Sequence, residues 1–180
     1  MKYRLRKEYS TNPDKALKEI LADRGVTDIN NFMNPSAECE LNPFTLNNIN
    51  NAANILLYHL RKNSKILFII DADADGFTSS SILWLYIKHT FPEAELEFTV
   101  HEHKQHGLDD KIDWITDEAR WDLVLVPDAG SYDIEEHRVL EELGIDVLVL
   151  DHHEQLYDEN GNPVISNFSH TIVVNNQLSP

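Results

Sequence analysis

The chain has 180 residues, with 15 Lys plus Arg against 31 Asp plus Glu and a formal net charge of −16 when its nine His are neutral. At 42% hydrophobic residues it can bury a core, which argues against wholesale disorder. The single cysteine, Cys39, excludes an internal disulfide framework and suits a reducing compartment. No apolar run approaches the ~20 residues of a membrane span, and Met1 to Glu8 lacks the apolar segment of a signal peptide. The chain therefore reads as cytoplasmic, with no membrane partner. Along it, Asn12 is placed to cap a helix that opens on Pro13, with Leu17, Ile20 and Leu21 on one face and Gly25 as its stop. Asn30 to Pro43 is polar, with Phe32 and Met33 as expected anchors. A second helix fits Thr45 to Lys62. From Lys65 the pattern changes. Ile66 to Ile70 reads as a strand buried on both faces, Ser79 to Thr90 as a helix, and Leu96 to Val100 as a strand. Asp109 to Arg120 then fits a helix, Leu123 to Val126 a strand, and Ile134 to Leu143 a helix closed by Gly144. Ile145 to Leu150 and Thr171 to Val174 complete the strands.

Strands alternating with helical segments imply βαβ units. The expected fold is α/β, a doubly wound, mostly parallel sheet of about five strands flanked by helices, with a helical N-terminal extension. The domain reading is a lead-in over 1–63 and an α/β core over 64–180.

Three predicted strands end in ligand-type residues. The first runs into Asp71-Ala72-Asp73-Ala74-Asp75-Gly76, the third into Pro127-Asp128-Ala129-Gly130, and the fourth into Asp151-His152-His153. In an open parallel sheet the carboxyl ends of the strands share one edge, where ligands bind. Nothing about folding requires acids at three such ends. Two carboxylates forced to about 4 Å repel by about 4 kcal/mol at an effective dielectric near 20, a cost that a divalent cation removes. Oxygen and imidazole donors without thiolate favour Mn²⁺, Mg²⁺, Fe²⁺ or Zn²⁺. The donors suffice for two ions, and two ions can clamp both oxygens of a phosphoryl displacement. Against this stand plainer roles, since Asp71, Asp73 and Asp75 could cap a helix or solvate a loop, and Asp128 could shape a turn. Asp151-His152-His153 supplies ligands and a bracing acceptor together. His101, His103, Lys104 and His106 follow the second strand and either grip phosphate over the same crevice or form a solvated loop. His59, His89, His137 and His170 receive no role, and Trp84, Trp114 and Trp121 read as packing residues.

These motifs, in this order, resemble the DHH phosphoesterase superfamily and, within it, the RecJ single-strand exonucleases. Ile20-Leu21-Ala22-Asp23-Arg24-Gly25-Val26 and Asn31-Phe32-Met33-Asn34-Pro35 look like the RecJ lead-in. Asp71 to Ser79 resembles the first motif, Asp128-Ala129-Gly130 the second, and Asp151-His152-His153 the motif that names the superfamily. The resemblance implies a two-metal phosphodiesterase, usually Mn²⁺-dependent with Mg²⁺ as the other candidate, acting on single-stranded DNA or short oligonucleotides in DNA repair and recombination. It implies metal ligation by Asp71, Asp73, Asp75, Asp128 and His152. It makes Asp73, Asp75, Asp128, His152 and His153 catalytic, and Asp151 a support behind the histidines. It makes His153 a metal ligand or a grip on the scissile phosphate, and the loop residues His101, Lys104 and His106 stay the further phosphate candidates read from their place after the second strand. Two departures stand out. The family's later metal-binding Asp and its second, smaller substrate domain have no match here. His101 and His106-Gly107-Leu108 stand where RecJ-like chains place an Arg before Gly-Tyr-Gly-Leu. The charge fits a basic groove lying in such a missing domain or in a second protein. The alternative is a catalytically weak DHH-fold module that acts as a binding partner in recombination or replication. A dinucleotide phosphoesterase of the same superfamily is a third reading, less favoured because of the RecJ-like lead-in.

Overall fold

A computed structural model describes residues 7–102, 105–118 and 120–179. The chain divides into two compact units, Met1–Asn42 and Pro43–Pro180. In the first, α1 (Pro13–Asp23) opens as its sequence directs, with Asn12 Oδ1 accepting from Lys15 N at 3.1 Å. A short α2 (Ile29–Met33) is capped by Asp28 through Asn31 N at 2.9 Å. Phe32 and Met33, expected as anchors, are exposed.

The second unit holds α3 (Ile49–Lys62), β1 (Lys65–Ile70), α4 (Ala74–Thr90), β2 (Glu95–Val100), α5 (Ile112–Glu118), β3 (Leu123–Pro127), α6 (Ile134–Leu143), β4 (Asp146–Asp151) and β5 (Thr171–Asn175). The five strands form one parallel sheet in the order β2-β1-β3-β4-β5. This is the α/β architecture expected from the alternating pattern. The continuous apolar runs are explained by burial on both faces. Leu67, Ile69, Val124, Val126, Val147 and Val149 pack with Leu140 and Ile115 on one side. Ile66, Phe68, Leu123, Leu125 and Leu148 pack with Ile87 and Leu60 on the other. Each fully buried side chain of this kind contributes about 1.5–3 kcal/mol relative to exposure.

The two largest differences from the expected element boundaries are at the starts of α3 and α4. Helix α3 begins at Ile49 rather than Thr45, because Asn48 adopts φ 64 and breaks the turn before it. This helix lies within the second unit, whereas the sequence reading starts the core at 64. Helix α4 begins at Ala74, five residues before Ser79, because Asp73 caps it through Gly76 N at 3.0 Å.

At the amino ends of the strands, Asp146 takes hydrogen bonds from His59 Nε2 at 2.8 Å and His170 Nδ1 at 2.7 Å. Two histidines without a role in the sequence reading thus tie α3 and the start of β5 to β4. His59 is buried, so Asp146→Ala leaves an imidazole nitrogen without its acceptor. The expected loss is about 2–3 kcal/mol of unfolding free energy, measurable as a lower urea midpoint at unchanged slope.

Candidate metal centre at the carboxyl edge of the sheet

Strand β1 delivers Asp71, which is fully buried. Its Oδ1 accepts from Gly107 N at 3.2 Å and its Oδ2 from His106 Nδ1. His101 Nε2 stands 3.5 Å from Oδ1. Both oxygens of Asp71 are therefore engaged by the segment after β2. His101 is itself buried, with Nε2 3.0 Å from the Gly107 carbonyl and Nδ1 2.7 Å from Asp110 Oδ1. His101 is thus buried inside the loop as a tie, while His106 is half-exposed at the crevice. Lys104 and His103 lie outside the described residues.

Asp73 and Asp75 bracket the start of α4. Asp73 is the helix cap, and the N–H of Gly76 holds its carboxyl below the usual carboxylate range. Gly76 has to be glycine, since a Cβ there would lie 2.5 Å from the Asp71 carbonyl oxygen. That absence of a side chain lets α4 start directly against the end of β1, and it sets Asp75 in the first turn with an exposed carboxylate.

Asp128 follows β3 with φ 84, a left-handed conformation that Asp and Asn tolerate better than other side chains. Its N–H donates to the Leu150 carbonyl at 2.6 Å, so the turn is fastened to β4. Its Oδ1 lies 3.0 Å from His152 Nε2, which is also 3.7 Å from Asp75 Oδ2. Ligand atoms of Asp75, Asp128 and His152 all fall within 4.8 Å of one another. Burial, and then the Asp75 charge, push the Asp128 carboxyl above its ordinary value. That is the electrostatic state a cation relieves, and two carboxylates with one imidazole suit a hard or borderline divalent ion. Among the described residues this is the group drawn close enough to hold one. Asp71 and Asp73 sit beside it, with both Asp71 oxygens and Asp73 Oδ1 engaged by protein N–H groups.

Asp151 lies beneath. Its Oδ1 accepts from His152 N at 2.6 Å, His153 N at 3.0 Å and His153 Nδ1 at 2.7 Å, and its Oδ2 from Ser131 N at 3.0 Å. Burial opposes its charge, but hydrogen bonding from the Ser131 side chain, from His153 and from the Ser131 amide holds its carboxyl below the usual range, and Asp151 in turn raises the His153 imidazole. With Nδ1 committed, His153 Nε2 has no hydrogen-bond partner among the described residues. Its ring centre is 4.9 Å from that of His152 and 6.0 Å from that of His106. A cavity of about 460 Å³ adjoins it, lined by His106, Gly130, Ser131, Tyr132, His153 and Glu154 among others. Asn175, at the end of β5 and opposite Asp151 in register, donates from Nδ2 to Ser131 Oγ at 2.9 Å and to the His153 carbonyl at 3.1 Å. The sequence reading assigns nothing to Ser131 or Asn175. The available signal was a fourth buried strand ending in a polar side chain.

An all-parallel α/β sheet whose strand ends converge acids and imidazoles on one crevice defines the class of protein. The family profile described as "DHH family, N-terminal domain" matches residues 65–173, and the chain belongs to that family. It is 41% identical over 181 residues to a Bacillus subtilis (strain 168) protein provisionally named SPbeta prophage-derived single-strand DNA-specific exonuclease YorK, covering 100% of this chain and 29% of that protein. It is 29% identical over 116 residues to the single-stranded-DNA-specific exonuclease RecJ of Bacillus subtilis (strain 168), covering 62% of this chain and 14% of RecJ. The chain thus spans less than a third of the length of these relatives. Among solved structures, RecJ from Thermus thermophilus in complex with Mn²⁺ superposes with a TM-score of 0.58 at 25% identity, covering 89% of this chain and 21% of that one. A second, an exonuclease RecJ bound to manganese, gives 0.56 at 27% identity and covers 81% and 34%. No helix among the described residues is long and apolar enough to cross a membrane.

Proposed function

We propose that this chain is a RecJ-type, metal-dependent phosphodiesterase unit acting on single-stranded DNA or short oligonucleotides in DNA repair or recombination. The observation that carries the reading is the meeting of Asp75, Asp128 and His152 at three separate element ends. The Mn²⁺ named in the two RecJ structures supports manganese as the ion. When bound, such an ion supplies Lewis acidity at phosphorus and lowers the pKa of water. Asp75, Asp128 and His152 would hold it; a second ion would call on Asp73 and Asp71.

The chain's own residues do the rest. On this reading His153, made more basic by Asp151, binds a phosphate oxygen through Nε2. His106, fixed through Nδ1 to Asp71, faces the same crevice from the other side. Asp151 keeps the His153 ring in one tautomer. The engagement of both Asp71 oxygens favours a second reading, a weakly active module that works with a partner protein or domain carrying a cationic groove.

A nuclease assay on 5′-labelled single-stranded DNA with Mn²⁺ separates the two. The expected result is shortening of the label-bearing strand by the wild-type protein, suppressed by EDTA and by high salt. Loss of all cleavage with retained Mn²⁺ binding would leave the module reading in its place.

A further inference from the structure

We propose that Asn175 is a positioning residue for His153, acting through a buried polar clamp that joins the ends of β3, β4 and β5; this rests on the phosphate-binding part given to His153 above. Asn175 is 1% exposed and Ser131 2%. The Asp151 side chain is equally buried. Groups so placed must find partners inside the protein.

The partners close into one circuit. Asn175 Nδ2 uses its two protons on Ser131 Oγ and the His153 carbonyl, while its Oδ1 accepts from Gln177 N at 2.8 Å. Ser131 N in turn donates to Asp151 Oδ2. Asp151 Oδ1 takes the His153 ring N–H. His153 is thus held twice, by its main-chain carbonyl from β5 and by its imidazole from Asp151. With both grips in place the ring keeps Nδ1 protonated and turns Nε2 to the crevice. Asn175 meets neither the ion-binding group nor the open cavity, so its effect on chemistry must pass through His153.

Asn175→Asp keeps the shape and the Oδ1 acceptor but removes both donors. It is expected to lower kcat about 10–100-fold, the range found for groups that orient an active-site side chain. KM and the Mn²⁺ dissociation constant should stay within about threefold. In a His153→Ala background the same change should cost nothing further, because the residue it positions is gone. Full activity of N175D would overturn the proposal, as would a double variant slower than H153A by the full N175D factor.

A second measurement needs no activity. Nitrogen-15 spectra of the His153 ring at pH 9 should report Nδ1 protonated in the wild type and a mixture of tautomers in N175D. Identical spectra would overturn the clamp. A wild type that cleaves nothing yet shows this tautomer change would overturn the nuclease reading and leave the clamp standing. If N175D does not fold, Ser131→Ala decides. It removes the Asn175 acceptor and the Ser131 hydroxyl beside Asp151 while keeping the main-chain N–H on Asp151 and the Asn175 bond to the His153 carbonyl, so a smaller shift of the same resonances is expected, and an unchanged spectrum would overturn the proposal.

Discussion

Asp128→Asn is expected to abolish Mn²⁺-dependent cleavage while leaving the metal-free protein more stable than the wild type. Asparagine is chosen over alanine because residue 128 sits at φ 84, which Asn adopts with little strain and Ala does not. The substitution removes one of two carboxylates near His152 and, with it, the burial penalty and then the Asp75 repulsion that raise the Asp128 carboxyl. Loss of a ligand that organises a Lewis acid is a loss of several kcal/mol in the transition state, or about 10³-fold or more in kcat/KM. The stability effects run in opposite directions. Without metal, the melting temperature should rise, since a buried negative charge is gone. With Mn²⁺ at about 100 times its dissociation constant, the wild type gains about 2.7 kcal/mol, or roughly 5–10 °C at this chain length. The variant should gain almost none of it. Scanning calorimetry with EDTA and with Mn²⁺ gives both halves. An unchanged Mn²⁺ shift in D128N would place the ion elsewhere.

The second large effect is a pair of opposed pH dependences close together in sequence. His137 on α6 is fully buried, neither ring nitrogen has a hydrogen-bond partner among the described residues, and burial drives its imidazole from 6.5 down to about 4. The folded protein therefore binds fewer protons than the unfolded chain between those values. This contribution to stability is present above pH ~6.5 and lost as pH falls to ~4, a total of about 3 kcal/mol. Asp133 behaves in reverse. Burial raises its carboxyl from 3.8 to about 6, although Leu108 N donates to it at 2.7 Å. Here the folded state binds the extra proton, so stability is greatest below pH ~4 and declines as pH rises through ~6, again by about 3 kcal/mol. Over pH 4–6 the two slopes nearly cancel. Removing either uncovers the other. Relative to the wild type, His137→Leu should be about 2–3 kcal/mol better at pH 4.5 than its own difference at pH 7, and Asp133→Asn should be worse by a similar margin. Urea unfolding of all three proteins in EDTA at the two pH values tests this. Parallel curves would mean that neither group changes its proton affinity on folding.

The alternation of apolar strands with helices made the sheet readable in advance, because strands covered on both faces have to be uniformly apolar, as Ile66 to Ile70 and Leu123 to Val126 are. The carboxyl-end acids were equally visible, since Asp71, Asp128 and Asp151 interrupt such runs abruptly. Sequence did not separate the jobs of those acids. Asp71 and Asp75 differ by four positions, yet one is sealed under the segment after β2 and the other faces solvent. That division depends on where a loop folds back, which periodicity does not encode. The same holds for His101 and His106. Both looked equally available, but His101 is buried against the Gly107 carbonyl and Asp110, whereas His106 is half-exposed on Asp71. The early start of α4 was hidden for a related reason: any acid in the run Asp71 to Asp75 could have capped a helix, and Asp73 is the one that accepts from the Gly76 amide.

The strand order β2-β1-β3-β4-β5 has a bearing on how the molecule is made. As the polypeptide leaves the ribosome, β2 can dock on one flank of β1 and β3 on the other; β4 and β5 then join outward in turn. Every newcomer meets a vacant flank, and no earlier pairing has to be prised open to admit it. His152 and His153 follow one of the last arrivals, so Asp71, Asp75 and Asp128 are synthesised before the two imidazoles that complete the crevice.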